Sequence, residues 1–432
     1  MGVVADRPEA PIVQLRPLPL MERRAVGGPV PRGLLAAYVG GALAAWIAAT
    51  AVLVAAADDL AHGAFYDGSV LLAVHLVAAF ALPLGVAGAS FHLLPVMLRN
   101  DLVSVRALWI ALPLLAGGGL VAGGLAHRSS PLVWIGAAAV ACGLAIVGAE
   151  VGMLVLRAPA DRTLIASRSG VGLSLVHAAL ALAAGSLIFD RGPLWGVAYD
   201  RWLLVHLHLA LVGWIALLVV TVGRNLAPML AQAPAAPRRR LPVDELALVA
   251  GLWVLVVGLA ADVRAVTIAG GAIAAATLAR FGALLLRTFR SKRAPIDAPL
   301  GHLLAGALFL AQAAVVGFVA AAGGGDVRWV EAYVLFLLVG WAGGVVIGHL
   351  GKLLSLSLWV WWPPGPRPKQ AQLYPRTLAL AETVAFAGGL ELLALSVLTG
   401  HAAPARVGAA IVCLSAVLAA ATAALVWSRR SR

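Results

Sequence analysis

The chain returns again and again to runs of twenty or more residues with almost no charge, and this feature decides what it can fold into. A segment of that length, helical, matches the hydrocarbon thickness of a bilayer, and only a helix satisfies its own backbone polar groups there. Windows of about 20 residues place twelve such spans at roughly 33–57, 68–97, 105–126, 131–156, 169–189, 202–230, 242–261, 264–287, 300–323, 330–358, 377–398 and 405–427. With 62% hydrophobic and 12% charged residues, the chain has no means of covering a water-soluble core. The reading is an all-α polytopic membrane protein with a cytoplasmic N-terminal segment 1–32, a transmembrane domain 33–428 and a short cytoplasmic tail 429–432. The first thirty residues are polar, Pro- and Arg-rich, and have no apolar core of the kind a signal peptide carries.

Basic residues sort by side. If the N-terminus is cytoplasmic, the inner segments hold Arg99, Arg106, Arg157, Arg162, Arg168, the Arg238–Arg240 run, Lys292, Arg293 and others, whereas the outer ones hold only Arg128, Arg191, Arg201, Arg264, Arg328 and Arg406. That is the positive-inside pattern of a multi-pass protein of the plasma membrane with both termini cytoplasmic. Inner arginines facing anionic headgroups account for the net charge of +13, so nucleic acid is excluded as a partner and the bilayer is the expected one. The two cysteines, Cys142 and Cys413, lie in separate spans and no CxxCH occurs, which removes covalent haem attachment and a disulfide framework.

Spans two, six and ten share a pattern. "VHLVAAFALPLGVAGASFHLLPVML" starts at Val74, "HLHLALVGWIALLVVTVGRNLAPML" at His206 and "YVLFLLVGWAGGVVIGHLGKLLSLSL" at Tyr333. His75 precedes Pro95 by the same interval as His208 precedes Pro228, and Gly213-Trp214 returns as Gly340-Trp341. Three units of four helices, shifted by roughly 130 residues, are expected from this repetition.

The histidines then sort by depth. At about 1.5 Å of rise per residue, His75 lies about 12 Å below the outer boundary, with His206 and His208 slightly shallower. Residues two apart on a helix point about 200° apart, so His206 and His208 face different neighbours. A b-type haem needs two imidazoles from different helices at one depth and a slot of small residues, and His75 with His208 meet the depth requirement. His92 and His349 lie near the inner ends of spans two and ten and form a candidate second metal or haem site; His177 and His302 read as hydrogen-bonding residues, and His62, His127 and His401 as solvated. Glu150, Glu382 and Glu391 fall inside spans, where carboxyl groups are costly and become candidates for a proton path or for pairing with Arg224 and Lys352.

The H-x-H, the Gly-Trp that follows and the closing Pro resemble the helix of haem-copper oxidase subunit I whose two histidines ligate the high-spin and low-spin haems. "GASFHLLP" after His75 resembles that family's second helix, and twelve spans in pseudo-threefold units are its architecture. The resemblance implies that His75 and His208 hold a low-spin haem b, that His206 faces the high-spin position, and that a cytochrome or a quinol donates electrons in respiration. That family carries copper on a histidine of the sixth span and an adjacent His-His pair of the seventh; this chain has no His-His pair, no histidine in spans seven and eight, and its H-x-H in the sixth span where the family has it in the tenth. Copper is therefore not expected. "GHLGK" at 348–352 also resembles a run in NnrS-type nitric-oxide-response membrane proteins, which implies a role in gas handling. Two other classes stay open: a secondary transporter with a midplane site between repeats, and a non-catalytic sensor or assembly factor on the oxidase scaffold.

Overall fold

The computed structural model describes residues 30–159, 164–189, 197–234, 242–323, 326–360, 362 and 366–429. The N-terminal segment and most of the tail lie outside these residues. Twelve helices are long and apolar enough to cross a membrane. They are Arg32–Ala55, Gly68–Leu98, Val105–Ala126, Ser130–Arg157, Ile165–Phe189, Tyr199–Ala231, Val243–Ala261, Arg264–Arg290, Ala298–Ala321, Val327–Val360, Arg376–Thr399 and Ala402–Ser428, spans 1 to 12 below. The number and placement agree with the hydropathy of the sequence.

Local chemistry sets the span starts. Asp67 accepts the Ser69 N–H at 2.8 Å ahead of span 2, and Ser104 accepts the Ala107 N–H at 3.2 Å ahead of span 3. Asp326 accepts the Arg328 N–H at 3.0 Å ahead of span 10. Each side chain satisfies a donor that the first helical turn leaves free. Span 11 ends at Gly400, whose φ of +73° suits glycine and stops the helix.

Spans 2, 6 and 10 form the centre. Their most apolar windows are 61%, 61% and 83% buried, against 28–50% for the other nine, so those nine form the outer ring. Each central span also contains a stretch wound as π-helix: Leu76–Ala81, Leu209–Ala216 and Leu335–Gly343. Such winding is rare and gathers at functional sites. Here it begins directly after His75, directly after His208 and directly after Val334, so the threefold repetition seen in sequence extends to the backbone.

Without a hydrophobic force between helices in lipid, small residues supply the packing. A Cβ on Gly118 of span 3 would sit 1.9 Å from the Ala79 carbonyl oxygen in the π-wound part of span 2, and one on Gly408 of span 12 would sit 2.5 Å from the Leu393 nitrogen of span 11. Trp46, Phe309, Phe336, Trp341 and Phe386 fill the core where the central spans meet their neighbours. Val384, Leu156 and Val315 are the most exposed of the large apolar side chains on the ring.

Candidate functional site

Arg32 and the other arginine-rich segments mark one face of the bundle, and the loops 56–67, 197–198 and 400–401 mark the other, arginine-poor one. His75, His206 and His208 all lie in the half next to the arginine-poor face, about two turns into their spans.

Each imidazole is held by the backbone. The Nδ1–H of His75 donates to Leu71 O at 2.9 Å, that of His206 to Ala181 O at 2.8 Å and that of His208 to Leu204 O at 2.7 Å. A carbonyl only accepts, so Nδ1 carries the proton and Nε2 presents its lone pair. This is the tautomer a metal-binding histidine adopts when a carbonyl orients it.

The two histidines of the H-x-H face different helices, as their 200° separation requires. His206 crosses to span 5 and fits against Gly185, where a Cβ would come within 2.7 Å of its Cε1. His208 turns to span 10, where the Tyr333 hydroxyl donates to its Nε2 at 2.8 Å and the two rings stack with centroids 5.7 Å apart. The expected pairing of His75 with His208 therefore has a neighbour to displace, since the Tyr333 hydroxyl occupies His208 Nε2. His206 thus packs on span 5 at Ala181 and Gly185, and His208 is bonded by the Tyr333 hydroxyl of span 10.

The intramembrane acids are dispersed. Glu150 accepts the Val103 and Ser104 N–H groups at 2.9 and 3.1 Å, which closes the start of span 3. Glu391 accepts from Gln312 Nε2 at 2.7 Å near the middle of spans 9 and 11. Glu382 meets His302 Nε2 at 2.7 Å, buried near the arginine-rich end of the same two spans. The cations expected to pair with these acids have other partners: Arg224 binds Asp244 at 3.0 Å and Glu245 at 3.7 Å, and Lys352 binds Asp297 at 3.1 Å. His92 and His349 share no partner, since His92 Nδ1 bonds the Ser357 hydroxyl at 2.9 Å and the His349 Nδ1–H donates to Val345 O at 2.6 Å. Among the described residues no group of three or more His, Cys, Asp or Glu side chains is arranged to hold a metal ion. His177 donates to Leu173 O at 2.7 Å and packs on Gly213, and exposed His62 bonds Asp58 O at 2.7 Å.

Two polar residues at this end escaped the sequence reading. Tyr333 stands in the third unit where His206 stands in the second, both seven residues before the shared Gly-Trp, so the repeat register points to it. Glu331, 1% exposed, has both carboxyl oxygens buried without a hydrogen-bond partner and lines an apolar pocket between spans 1, 2 and 10. It lies one turn inside span 10, where hydropathy alone reads it as the edge of the membrane.

In the loops of the same face, the Arg328 side chain holds the Asp326 carboxyl below the usual carboxylate range, and the backbone N–H of Ser69 does the same for Asp67. Arg406 binds Asp58 and lowers it in the same way.

No family model and no curated protein matches the chain in sequence. Its fold is similar to that of a haem-copper terminal oxidase dimer solved by cryo-EM, with a TM-score of 0.57 and 10% identity over 92% of this chain and 83% of that one. At that identity the likeness shows the fold: a twelve-helix, oxidase-like membrane bundle.

Proposed function

We propose that the protein is a membrane b-type haem protein in which His75 and His206 would hold the haem iron, serving respiratory electron transfer or gas handling without the oxidase copper centre. The observation that carries this reading is the pair itself: two imidazoles about two turns into separate central spans, each with Nδ1 committed to a carbonyl and Nε2 left to ligate iron. Gly185 beside His206 and Gly118 against the π-wound part of span 2 provide the close, small-residue surroundings that a bulky planar group between spans needs.

When bound, haem would supply a one-electron redox centre. The protein's own residues hold and shield it. Leu71 O and Ala181 O fix the two imidazole tautomers. Tyr333 keeps its proton on the Nε2 of His208 and so withholds that nitrogen from iron. The apolar core excludes water from it. The arginine-rich face is assigned to the cytoplasm and the membrane to the plasma membrane, with a cytochrome or a quinol as electron donor.

The test is a visible spectrum of the purified protein expressed with ample haem supply. The expected result is a Soret band with sharp low-spin α and β bands on dithionite reduction. Homogeneous folded protein without Soret absorption contradicts the proposal.

A further inference from the structure

Many cations of the arginine-rich face are tied to the protein itself. Arg224 and Arg280 bind Asp244 at 3.0 and 3.1 Å, and Lys352 binds Asp297 at 3.1 Å. Arg376 donates to Ile296 O at 2.9 Å and Arg429 to Gln372 O at 2.7 Å. The end of span 8 differs. Arg287, Arg290, Lys292 and Arg293 fall within seven residues, and among the described residues none of the four forms an ion pair. Arg287, Arg290 and Arg293 are exposed. The run is also held in place, since the Arg293 and Ala294 N–H groups donate to Ala231 O at the end of span 6 at 3.0 and 3.1 Å.

Depth decides what this run faces. Span 8 has 27 residues and is about 40 Å long, close to the full thickness of a bilayer with its headgroups, whereas the hydrocarbon alone is about 30 Å. Arg280 meets Asp244 in the first turn of span 7, and such a charge pair belongs at the edge of the hydrocarbon. The turns that follow Arg280 therefore enter the headgroup layer. Exposed Ile273, Ala276 and Ala283 share a helix face with Arg287 and Arg290, because steps of three and four residues return to one side. An acyl chain lying along that face ends with its phosphate beside two guanidinium groups.

The chemistry of the four side chains selects the headgroup. A guanidinium gives two parallel N–H bonds to a phosphate, and its planar fork suits that anion better than a point charge does. A zwitterionic headgroup brings its own ammonium into a cluster of like charge. A headgroup whose only charge is the phosphate does not.

We infer that the end of span 8 is a discrete site for an anionic phospholipid, whose phosphate is bound by Arg287 and Arg290 and whose charge is further balanced by Lys292 and Arg293. It is one saturable site at one corner of the bundle, beyond the diffuse attraction of inner arginines for anionic headgroups, and it does not depend on haem ligation.

Native mass spectrometry of the full-length protein in detergent, titrated with dioleoyl phosphatidylglycerol, tests the inference. Dioleoyl phosphatidylcholine and inorganic phosphate serve as comparisons. One saturable phosphatidylglycerol adduct is expected, about tenfold tighter than phosphatidylcholine and not displaced by inorganic phosphate. The double variant Arg287→Ala, Arg290→Ala is expected to weaken phosphatidylglycerol about twentyfold, at about fivefold per basic residue, and to leave phosphatidylcholine unchanged. Arg157→Ala, at an exposed arginine of span 4 outside the run, is expected to change neither. Equal affinity for the two lipids, adducts that accumulate without saturation, or a folded double variant that binds like the parent overturns the inference. Displacement by inorganic phosphate overturns it in favour of a free phosphate, and an equal loss in Arg157→Ala overturns it in favour of diffuse charge. If the double variant does not fold, Arg287→Ala and Arg290→Ala singly, each expected to weaken phosphatidylglycerol about fivefold, decide the matter.

Discussion

The two halves of the bundle treat their polar groups in opposite ways. Near the arginine-rich face, charge meets charge, Arg224 with Asp244 and Glu245 and Lys352 with Asp297, and the Glu382 carboxyl bonds the His302 ring. Near the arginine-poor face the buried imidazoles and the Tyr333 phenol are arranged nitrogen to carbonyl and hydroxyl to nitrogen, and the Glu331 carboxyl has no partner at all. Paired charges hold helices in register, and removing one partner leaves the other stranded. Oriented imidazoles with open nitrogens add little to stability and are suited to receiving something else. The first half is built to hold and the second to bind.

Paired glycine substitutions probe this difference most severely. A Cβ on Gly348 would come 2.2 Å from the His302 ring, so Gly348→Leu is expected to abolish folding, read as loss of the monodisperse peak in size-exclusion chromatography. Gly185→Leu would meet the His206 ring instead and is expected to remove the haem signal while the protein remains folded. Gly172→Leu, with nothing within 4 Å of its Cβ position, is the control and should change neither. Folded Gly348→Leu protein would break the contrast.

Removing a carboxylate should be the next largest effect. Glu382→Ala leaves the buried His302 Nε2 without a partner and is expected to cost about 1–3 kcal/mol, seen as a lowered melting temperature. Adding His302→Leu should restore part of that loss. Tyr333→Phe removes one neutral hydrogen bond to His208 and should cost about 1 kcal/mol, with the low-spin spectrum preserved. A loss from Tyr333→Phe as large as that from Glu382→Ala would erase the distinction between the halves.

Acid should act most weakly, on the arginine-poor loops. Asp58, Asp67 and Asp326 are held below the usual carboxylate range by Arg406, Ser69 and Arg328. Their contribution is present above the unfolded carboxylate value near ~3.9 and is lost as pH falls through the lower folded values. A small fall in melting temperature confined to that acid range is expected, and Asp326→Asn should reduce it.

Much of this was legible in the sequence. The twelve spans follow from apolar length, and the threefold repeat from the His–Pro interval and the recurring Gly-Trp, which the three π-wound segments match. The opposed directions of His206 and His208 follow from helical geometry. Which of them packs on span 5 and which meets Tyr333 of span 10 does not, because depth along a helix says nothing of its rotation. Glu331 escaped because one turn of helix separates an interfacial acid from a buried one, and hydropathy windows do not resolve one turn. The partners of Arg224 and Lys352 escaped because they lie in the first turn or cap of neighbouring spans, Asp244 and Glu245 in span 7 and Asp297 before span 9, rather than among the mid-span acids.

The central claim, that His206 and not His208 shares the haem with His75, is tested most directly by the reduced low-spin spectra of His206→Ala and His208→Ala measured side by side at matched protein concentration. The account predicts that the α and β bands vanish in His206→Ala, as in His75→Ala, and persist in His208→Ala. Bands that persist in His206→Ala and vanish in His208→Ala would contradict it.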